Sequence, residues 1–199
     1  MLTKNQLVDI KITDQGKTGD GVGFVDEIPI YTPNCIPGDR VQVKIVKVEK
    51  RRAYGKLISV LTPSLDWVEP TCLVAATCGG CQLQHQSHDA QLAFKQKLLL
   101  DRLNRFIDLD GVNVQSMIPS TSQFGFRNKM QFSFAMDAGQ LQIGLYAARS
   151  HRVVDTDECP IMTPEMNAVL PVIRQWHHDY PETVFDEATG QGVLRHLTI

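Results

Sequence analysis

Cysteine is the residue type in this chain with the most specific chemistry, and three of the five cysteines lie within ten residues. Cys72, Cys78 and Cys81 are separated by five and then by two residues, with two glycines in the shorter gap. Such a loop can direct its thiolates at one metal centre, which then needs a fourth ligand. Cys159 is the candidate, because Cys35 lies in a turn rich in Pro and Gly that belongs to a separate small domain.

Four thiolates suit either an iron-sulfur cluster or a four-cysteine zinc site, since both accept tetrahedral sulfur ligation. Zinc sites usually pair their ligands as two two-residue knuckles, and one knuckle is missing here, so the spacing favours iron-sulfur and leaves zinc open. A thioredoxin-like redox pair and a set of unrelated core thiols also stay open as interpretations of these cysteines. His85 and His88 can also ligate metals, but four cysteines suffice, so we expect His85 to form local hydrogen bonds.

The composition is that of an ordinary globular protein. With 199 residues, 43% of them hydrophobic, the chain can bury a core in one or two domains. It has no run of eighteen apolar residues and no pattern of a signal peptide at the N-terminus. Its cysteines are grouped as ligands rather than spread as bridges, which favours a reducing compartment. We therefore expect a cytoplasmic monomer without membrane association.

A short basic region stands out against the formal net charge of −2. Residues 40–56 contain one acidic residue, Glu49, and seven basic residues. A local excess of this kind predicts a surface that binds polyanions such as RNA. The alternative is a solvated strand edge that charges protect from aggregation. We call these seven residues the basic strip: Arg40, Lys44, Lys47, Lys50, Arg51, Arg52 and Lys56.

The first sixty residues have a period-two pattern of hydrophobicity that predicts five short strands. This number of strands in so short a segment indicates an OB-like barrel, a fold that often binds oligonucleotides. Phe24, Tyr31 and Tyr54 are candidate stacking partners for bases, although aromatic residues on alternating strands more often belong to the core. The predicted strands are 7–12, 21–25, 28–31, 41–48 and 54–60.

The rest of the chain predicts a mixed α+β region. Prolines and turn formers at residues 62–70 indicate a linker, and apolar residues at helical spacing predict a helix over residues 87–107. Its basic face, which can touch RNA or simply be solvated, consists of Lys95, Lys97, Arg102 and Arg105. Further strands are predicted at 112–118, 127–136, 141–146, 151–155 and from 192 onward, with a hairpin turn at 137–139 and a helix from Thr163 to about Tyr180.

The cysteine motif, together with the Gln-Leu-Gln-His that follows it, resembles the cluster signature of bacterial RNA uracil-C5 methyltransferases. The segments 125–129, 144–147 and 150–161 resemble, in order, later parts of the same family. The glycine loop and the turn before the basic strip resemble a TRAM domain, a small RNA-binding barrel. The resemblance implies a four-iron four-sulfur cluster on Cys72, Cys78, Cys81 and Cys159. It also implies an S-adenosylmethionine-dependent enzyme that makes 5-methyluridine, in 23S ribosomal RNA or else in transfer RNA.

The catalytic parts of such an enzyme are not recognisable in this sequence. The family uses a cysteine nucleophile, a carboxylate base and a Rossmann-like cofactor domain, and no Gly-rich cofactor loop follows Cys159. We therefore expect a truncated protein that is inactive alone, or alternatively a free-standing RNA-binding or iron-sulfur module. The expected domains are a TRAM/OB-like barrel at 1–62, a linker and cysteine loop at 63–86 and an incomplete α+β central domain at 87–199.

Overall fold

The computed structural model describes residues 2–199, which divide into two compact units. Unit 1 extends to Pro70 and also includes Gln82–Pro119, whereas unit 2 comprises Thr71–Cys81 and Ser120–Ile199. This division groups the long helix with the barrel rather than with the later sheet. The domain boundaries drawn from the sequence at residues 62 and 86 stay a prediction.

Unit 1 contains a closed five-stranded barrel, as the period-two pattern predicts. The order around the barrel is β1-β2-β3-β5-β4, and every pair is antiparallel except β3 with β5. The chain is mostly β, so the expected fold class is confirmed at this level. The strands are β1 (Leu7–Gln15), β2 (Gly21–Val25), β3 (Ile28–Thr32), β4 (Arg40–Glu49) and β5 (Arg52–Thr62).

The barrel core forms because one face of each strand is apolar. On β4, Val41, Val43 and Ile45 are completely buried. After Ile45 the pairing of β4 with β5 shifts register, and Val46 and Lys47 both become exposed. This bulge explains why Val46 breaks the alternation in the sequence, since an extra residue in one strand turns the following side chains.

The helix of unit 1 is α1 (His88–Leu103). Ser87 caps it, because the Ser87 hydroxyl accepts a hydrogen bond from the Ala90 backbone N–H at 3.3 Å. The strand predicted over residues 112–118 is wrong: that segment pairs with no other strand among the described residues. Val112, Val114 and Ile118 are exposed, Ile118 by 90%, so the alternating pattern alone does not make a strand without a neighbouring edge.

Unit 2 contains a four-stranded antiparallel sheet in the order β8-β7-β6-β9. The predicted hairpin joins β6 and β7, where Ala138 and Gly139 adopt positive φ angles of 47° and 80°. The strand predicted from residue 127 begins later, and the one predicted from residue 192 is short. The strands are β6 (Gln131–Asp137), β7 (Gln140–Tyr146), β8 (Val153–Asp155) and β9 (His196–Thr198).

Two consecutive helices complete unit 2, α2 (Pro164–Asn167) and α3 (Val169–Asp179), where the sequence predicts one. Thr163 caps α2 as expected, accepting from the Met166 N–H at 3.4 Å. Leu170 and Phe132 are buried in the core that the helices share with the sheet. None of the helices formed by residues 2–199 combines the length and hydropathy needed to cross a membrane.

Candidate functional site

The loop that carries three cysteines in unit 2 is held by backbone hydrogen bonds. The Cys78 N–H donates to the Val74 carbonyl at 2.8 Å, and the Gly79 N–H donates to the Tyr146 carbonyl at 2.9 Å. A Cβ atom on Gly79 would lie 2.7 Å from the same Tyr146 oxygen. Glycine is therefore required at this position, because β7 and the loop approach each other too closely for any side chain.

Cys159 is positioned by Asn167, the last residue of α2. The Cys159 N–H donates to the Asn167 carboxamide oxygen at 2.8 Å, and the Asn167 NH₂ donates back to the Cys159 carbonyl at 3.1 Å. No pattern in the sequence indicates this role of Asn167. Together, these bonds fix the backbone from which the Cys159 thiol projects.

The four cysteines Cys72, Cys78, Cys81 and Cys159 are brought together in unit 2, and we call them the cysteine group. Burial raises the pKa of the Cys159 thiol, and Cys81, Cys72 and Cys78 raise it further through their charges. Burial also raises the pKa of Cys78. None of the five cysteines, all of which lie among residues 2–199, forms a disulfide. The group is therefore an electrostatically coupled, half-buried set of sulfur donors.

Backbone N–H groups point at two of these sulfurs. The Gly80 N–H donates to Cys78 Sγ at 3.4 Å, and a bond with the Ile161 backbone lowers the pKa of Cys159 against the effect of burial. Such bonds favour the thiolate form, which is the form that ligates metals. Among residues 2–199, no three His, Cys, Asp or Glu side chains lie close enough to hold a metal ion as they stand. The four thiols thus have the chemistry that sulfur ligation requires, but their side chains are not arranged as a closed coordination shell.

Cys35 and His85 lie outside the cysteine group, in unit 1. Cys35 is completely buried in the barrel core, and burial raises the pKa of its thiol to about 12. His85 is buried, and its ring forms a backbone hydrogen bond with Cys35. Burial lowers the pKa of His85, opposed by the charge of Asp39. This histidine is a structural part of unit 1.

The basic strip lies on β4, on β5 and in the turn between them. Lys44 is paired directly across from Lys56, so two cations face each other on adjacent strands. Like charges in this position destabilise a sheet slightly, and a bound polyanion relieves that repulsion. Lys50 and Arg51 are exposed in the turn.

Two tyrosines from neighbouring strands adjoin the strip. The rings of Tyr31 and Tyr54 lie 6.0 Å apart, and Lys47 and Arg52 lie 5.8 Å and 5.7 Å from the Tyr54 ring centroid. Glu49 bonds to both cations at 2.7 Å. The hydrogen bond from Lys47, followed by that from Arg52, lowers the pKa of Glu49. The third aromatic candidate, Phe24, is 52% exposed rather than part of the core.

The basic face of α1 has a different electrostatic setting. Lys97 lies 2.9 Å from Asp101 and 3.4 Å from Asp14, so its charge is already compensated. Lys95 and Arg102 are exposed, as is Arg105, which lies in the turn after the end of α1. Of the two interpretations of this face, RNA contact or simple solvation, solvation accounts for these side chains.

Comparison with known proteins gives a family for the barrel. Residues 2–58 match the TRAM domain family. Over 196 residues the chain is 35% identical to an uncharacterized RNA methyltransferase of Clostridium tetani, a match that covers 98% of this chain and 42% of that protein. It is 37% identical over 196 residues to one of Halalkalibacterium halodurans, covering 98% of this chain and 43% of that protein.

A solved structure resembles nearly the whole chain. This is the Pyrococcus abyssi tRNA (uracil-54, C5)-methyltransferase in complex with S-adenosyl-L-homocysteine, with 25% identity and a TM-score of 0.68. The match covers 95% of this chain and 42% of that protein. The chain is thus homologous to RNA methyltransferases and spans about two fifths of the length of the relatives it matches.

Proposed function

We propose that this chain is the RNA-binding and cluster-bearing portion of an S-adenosylmethionine-dependent RNA uracil-C5 methyltransferase. The observation that carries the proposal is the match of nearly the entire chain to a tRNA uracil-C5 methyltransferase of known structure, with a TM-score of 0.68. The cofactor product named for that protein supports S-adenosylmethionine as the methyl donor of the intact enzyme. The resemblance in the cysteine motif favours 23S ribosomal RNA as the substrate, with transfer RNA as the alternative.

The barrel's part in this function is to hold RNA by its phosphates. Four members of the basic strip, Arg40, Lys50, Arg51 and Lys56, are exposed and have no acidic partner among the ion pairs of the described residues. The Tyr31–Tyr54 pair offers a ring surface beside these charges. OB-like folds hold single strands with this combination of basic groove and aromatic platform.

The cysteine group's part is to hold a four-iron four-sulfur cluster. Cys72, Cys78, Cys81 and Cys159 would supply its four thiolates, and Gly80 and Ile161 the backbone bonds around them. A bound cluster would link the loop at residues 72–81 to the segment around Cys159 that precedes α2. The role is structural, since it ties together two segments far apart in sequence.

A chimera tests the function. This chain would replace the homologous 196 residues of the Clostridium tetani relative, and the purified chimera would be incubated with S-adenosylmethionine and ribosomal or transfer RNA transcripts. We expect 5-methyluridine by mass spectrometry of the digested RNA. The 199-residue chain alone serves as the matched control and should bind no S-adenosylmethionine by calorimetry. A folded, iron-containing chimera that methylates neither RNA would contradict the proposal and favour a free-standing module.

A further inference from the structure

Unit 2 contains an open cleft that the proposed function does not use. Its volume is about 320 Å³, within the range of small-molecule sites. One wall is formed by Phe134, Ala135 and Met136 of β6, and another by residues 184–187 and Arg195. The cleft can therefore admit one flat group of the size of a nucleobase.

Aromatic rings and hydrogen-bonding groups line this cleft together. The Tyr146 and His151 rings stack with centroids 5.2 Å apart, and the Arg195 guanidinium lies 4.7 Å from the Phe185 centroid. His151 Nδ1 lies 2.8 Å from a carboxylate oxygen of Glu187. Proteins recognise an unstacked base with two kinds of group. An aromatic ring stacks on the face of the base, and polar side chains form hydrogen bonds with its edge.

The shape of the cleft is fixed by the backbone. The pairing of β6 with β9 covers Gln131–Ser133, and the Phe134 N–H also donates to the Arg195 carbonyl at 3.1 Å. Of the β6 residues that line the cleft, Ala135 and Met136 therefore lie beyond the pairing with β9. In the wall formed by residues 184–195, Gly192 has a φ of 119°, and a Cβ there would collide with the Val184 oxygen. The 184–195 segment is thus closely packed on itself and forms a preorganised wall.

The charges of the cleft select a base rather than a phosphate. Arg195 is accompanied by Asp186 and Glu187, and His151 is engaged by Glu187. Two carboxylates beside one permanent cation give no net attraction for an anion, whereas the basic strip has seven cations and one acid. The two regions therefore suit different parts of an RNA strand.

We propose that this cleft binds one unstacked base of single-stranded RNA. The inference rests on the proposed RNA-binding function and adds a base subsite in unit 2 to the phosphate-binding surface of the barrel. Stacking on Tyr146 or Phe185 supplies affinity, and Arg195 and Glu187 supply bonds to the edge of the base.

Two measurements on the full 199-residue chain test it. The first is photo-crosslinking with a short single-stranded RNA that contains 4-thiouridine, followed by mass spectrometry of the linked peptide; we expect links to Tyr146, Phe185 or their neighbours. The second is the affinity of the Tyr146→Ala and Glu187→Gln variants for the same RNA. Loss of one stacked base should weaken binding by the Tyr146→Ala variant about 5- to 100-fold. The salt dependence should not change, because no phosphate contact is removed.

Tyr180→Ala is the matched control, since Tyr180 is 68% exposed in the same unit and does not line the cleft. Replacing the crosslinked uridine by an abasic spacer should abolish the difference between the Tyr146→Ala variant and the wild type. If the Tyr146→Ala protein does not fold, the Glu187→Gln variant replaces it, because the Glu187 side chain is half-exposed. This variant should change the preference of the protein among the four bases. Crosslinks outside the cleft, together with unaltered RNA binding by either folded variant, would overturn the base-binding inference but not the proposed function. A wild-type chain that binds no RNA would overturn the proposed function with it.

Discussion

The basic strip lies on barrel strands that bury most of their inward side chains, whereas the cysteine group lies on loops whose cysteines are only half-buried. In the barrel, Val41, Val43 and Ile45 provide the stability, and the charges outside are free to serve binding. In unit 2, Cys81 and Cys159 pack at the margin of the core, so the side chains proposed for binding also help to hold the fold. Substitutions in the cysteine group should therefore affect both binding and stability, whereas substitutions in the basic strip should affect binding alone.

The first consequence is that loss of one ligand should disable the cysteine group completely. For Cys159→Ser we expect almost no iron or sulfide in anaerobically purified protein, because Cys159 is the only proposed ligand outside the loop at residues 72–81. Iron and sulfide analysis, together with the visible absorbance, measures the cluster content. Cys35→Ala is the control: this thiol is buried in the barrel core, so the cluster should stay at the wild-type level. Stoichiometric zinc in wild-type protein made with ample iron would contradict the cluster assignment.

A backbone change should affect the same region less completely. In Gly79→Ala the new Cβ would lie 2.7 Å from the Tyr146 carbonyl oxygen, which cannot move without disturbing β7. We expect a loss of about 1–3 kcal/mol in the free energy of unfolding and a lower iron content. Gly80→Ala is the matched change, since its Cβ meets the flexible end of Leu145 at 2.6 Å and should be tolerated better. Urea unfolding followed by circular dichroism measures the stability of both variants. Equal losses in the two variants would contradict the close approach of Gly79 to the Tyr146 carbonyl as the cause.

The same contrast explains what the sequence could predict. Alternating residues such as Val41, Val43 and Ile45 report burial on one face, so the barrel strands could be predicted almost to their ends. Residues 112–118 alternate as well, but a strand requires a partner edge, which local pattern does not contain. The cysteines of the group could be selected by type and spacing. The support from Asn167 and from the Tyr146 carbonyl could not, because these contacts depend on how distant segments pack.

At the basic strip, substitutions should alter binding and leave stability intact. If about three to five phosphates are neutralised, log affinity should fall with log salt at a slope of roughly −2 to −3.5. Replacing Lys50, Arg51 and Arg52 together by alanine should flatten that slope by up to about 2, measured by fluorescence anisotropy across salt concentrations. Glu49→Gln is the opposite change: it releases Lys47 and Arg52 from their 2.7 Å bonds and should raise affinity. A triple variant with unaltered slope would move the RNA site away from the strip.

The smallest effect should come from His85, which tests whether unit 1 is stabilised by buried neutral groups. Burial lowers the pKa of His85 in the folded protein. Below the ordinary histidine pKa of about 6.5, the unfolded chain therefore binds a proton that the folded chain does not, and stability falls as the pH falls through this range. One such proton contributes a slope of at most about 1.4 kcal/mol per pH unit. Urea unfolding at several pH values should show part of the acid sensitivity vanish in His85→Gln but persist in His178→Gln, whose side chain is 82% exposed. An identical pH dependence in His85→Gln and wild type would mean that the histidine is protonated equally in both states.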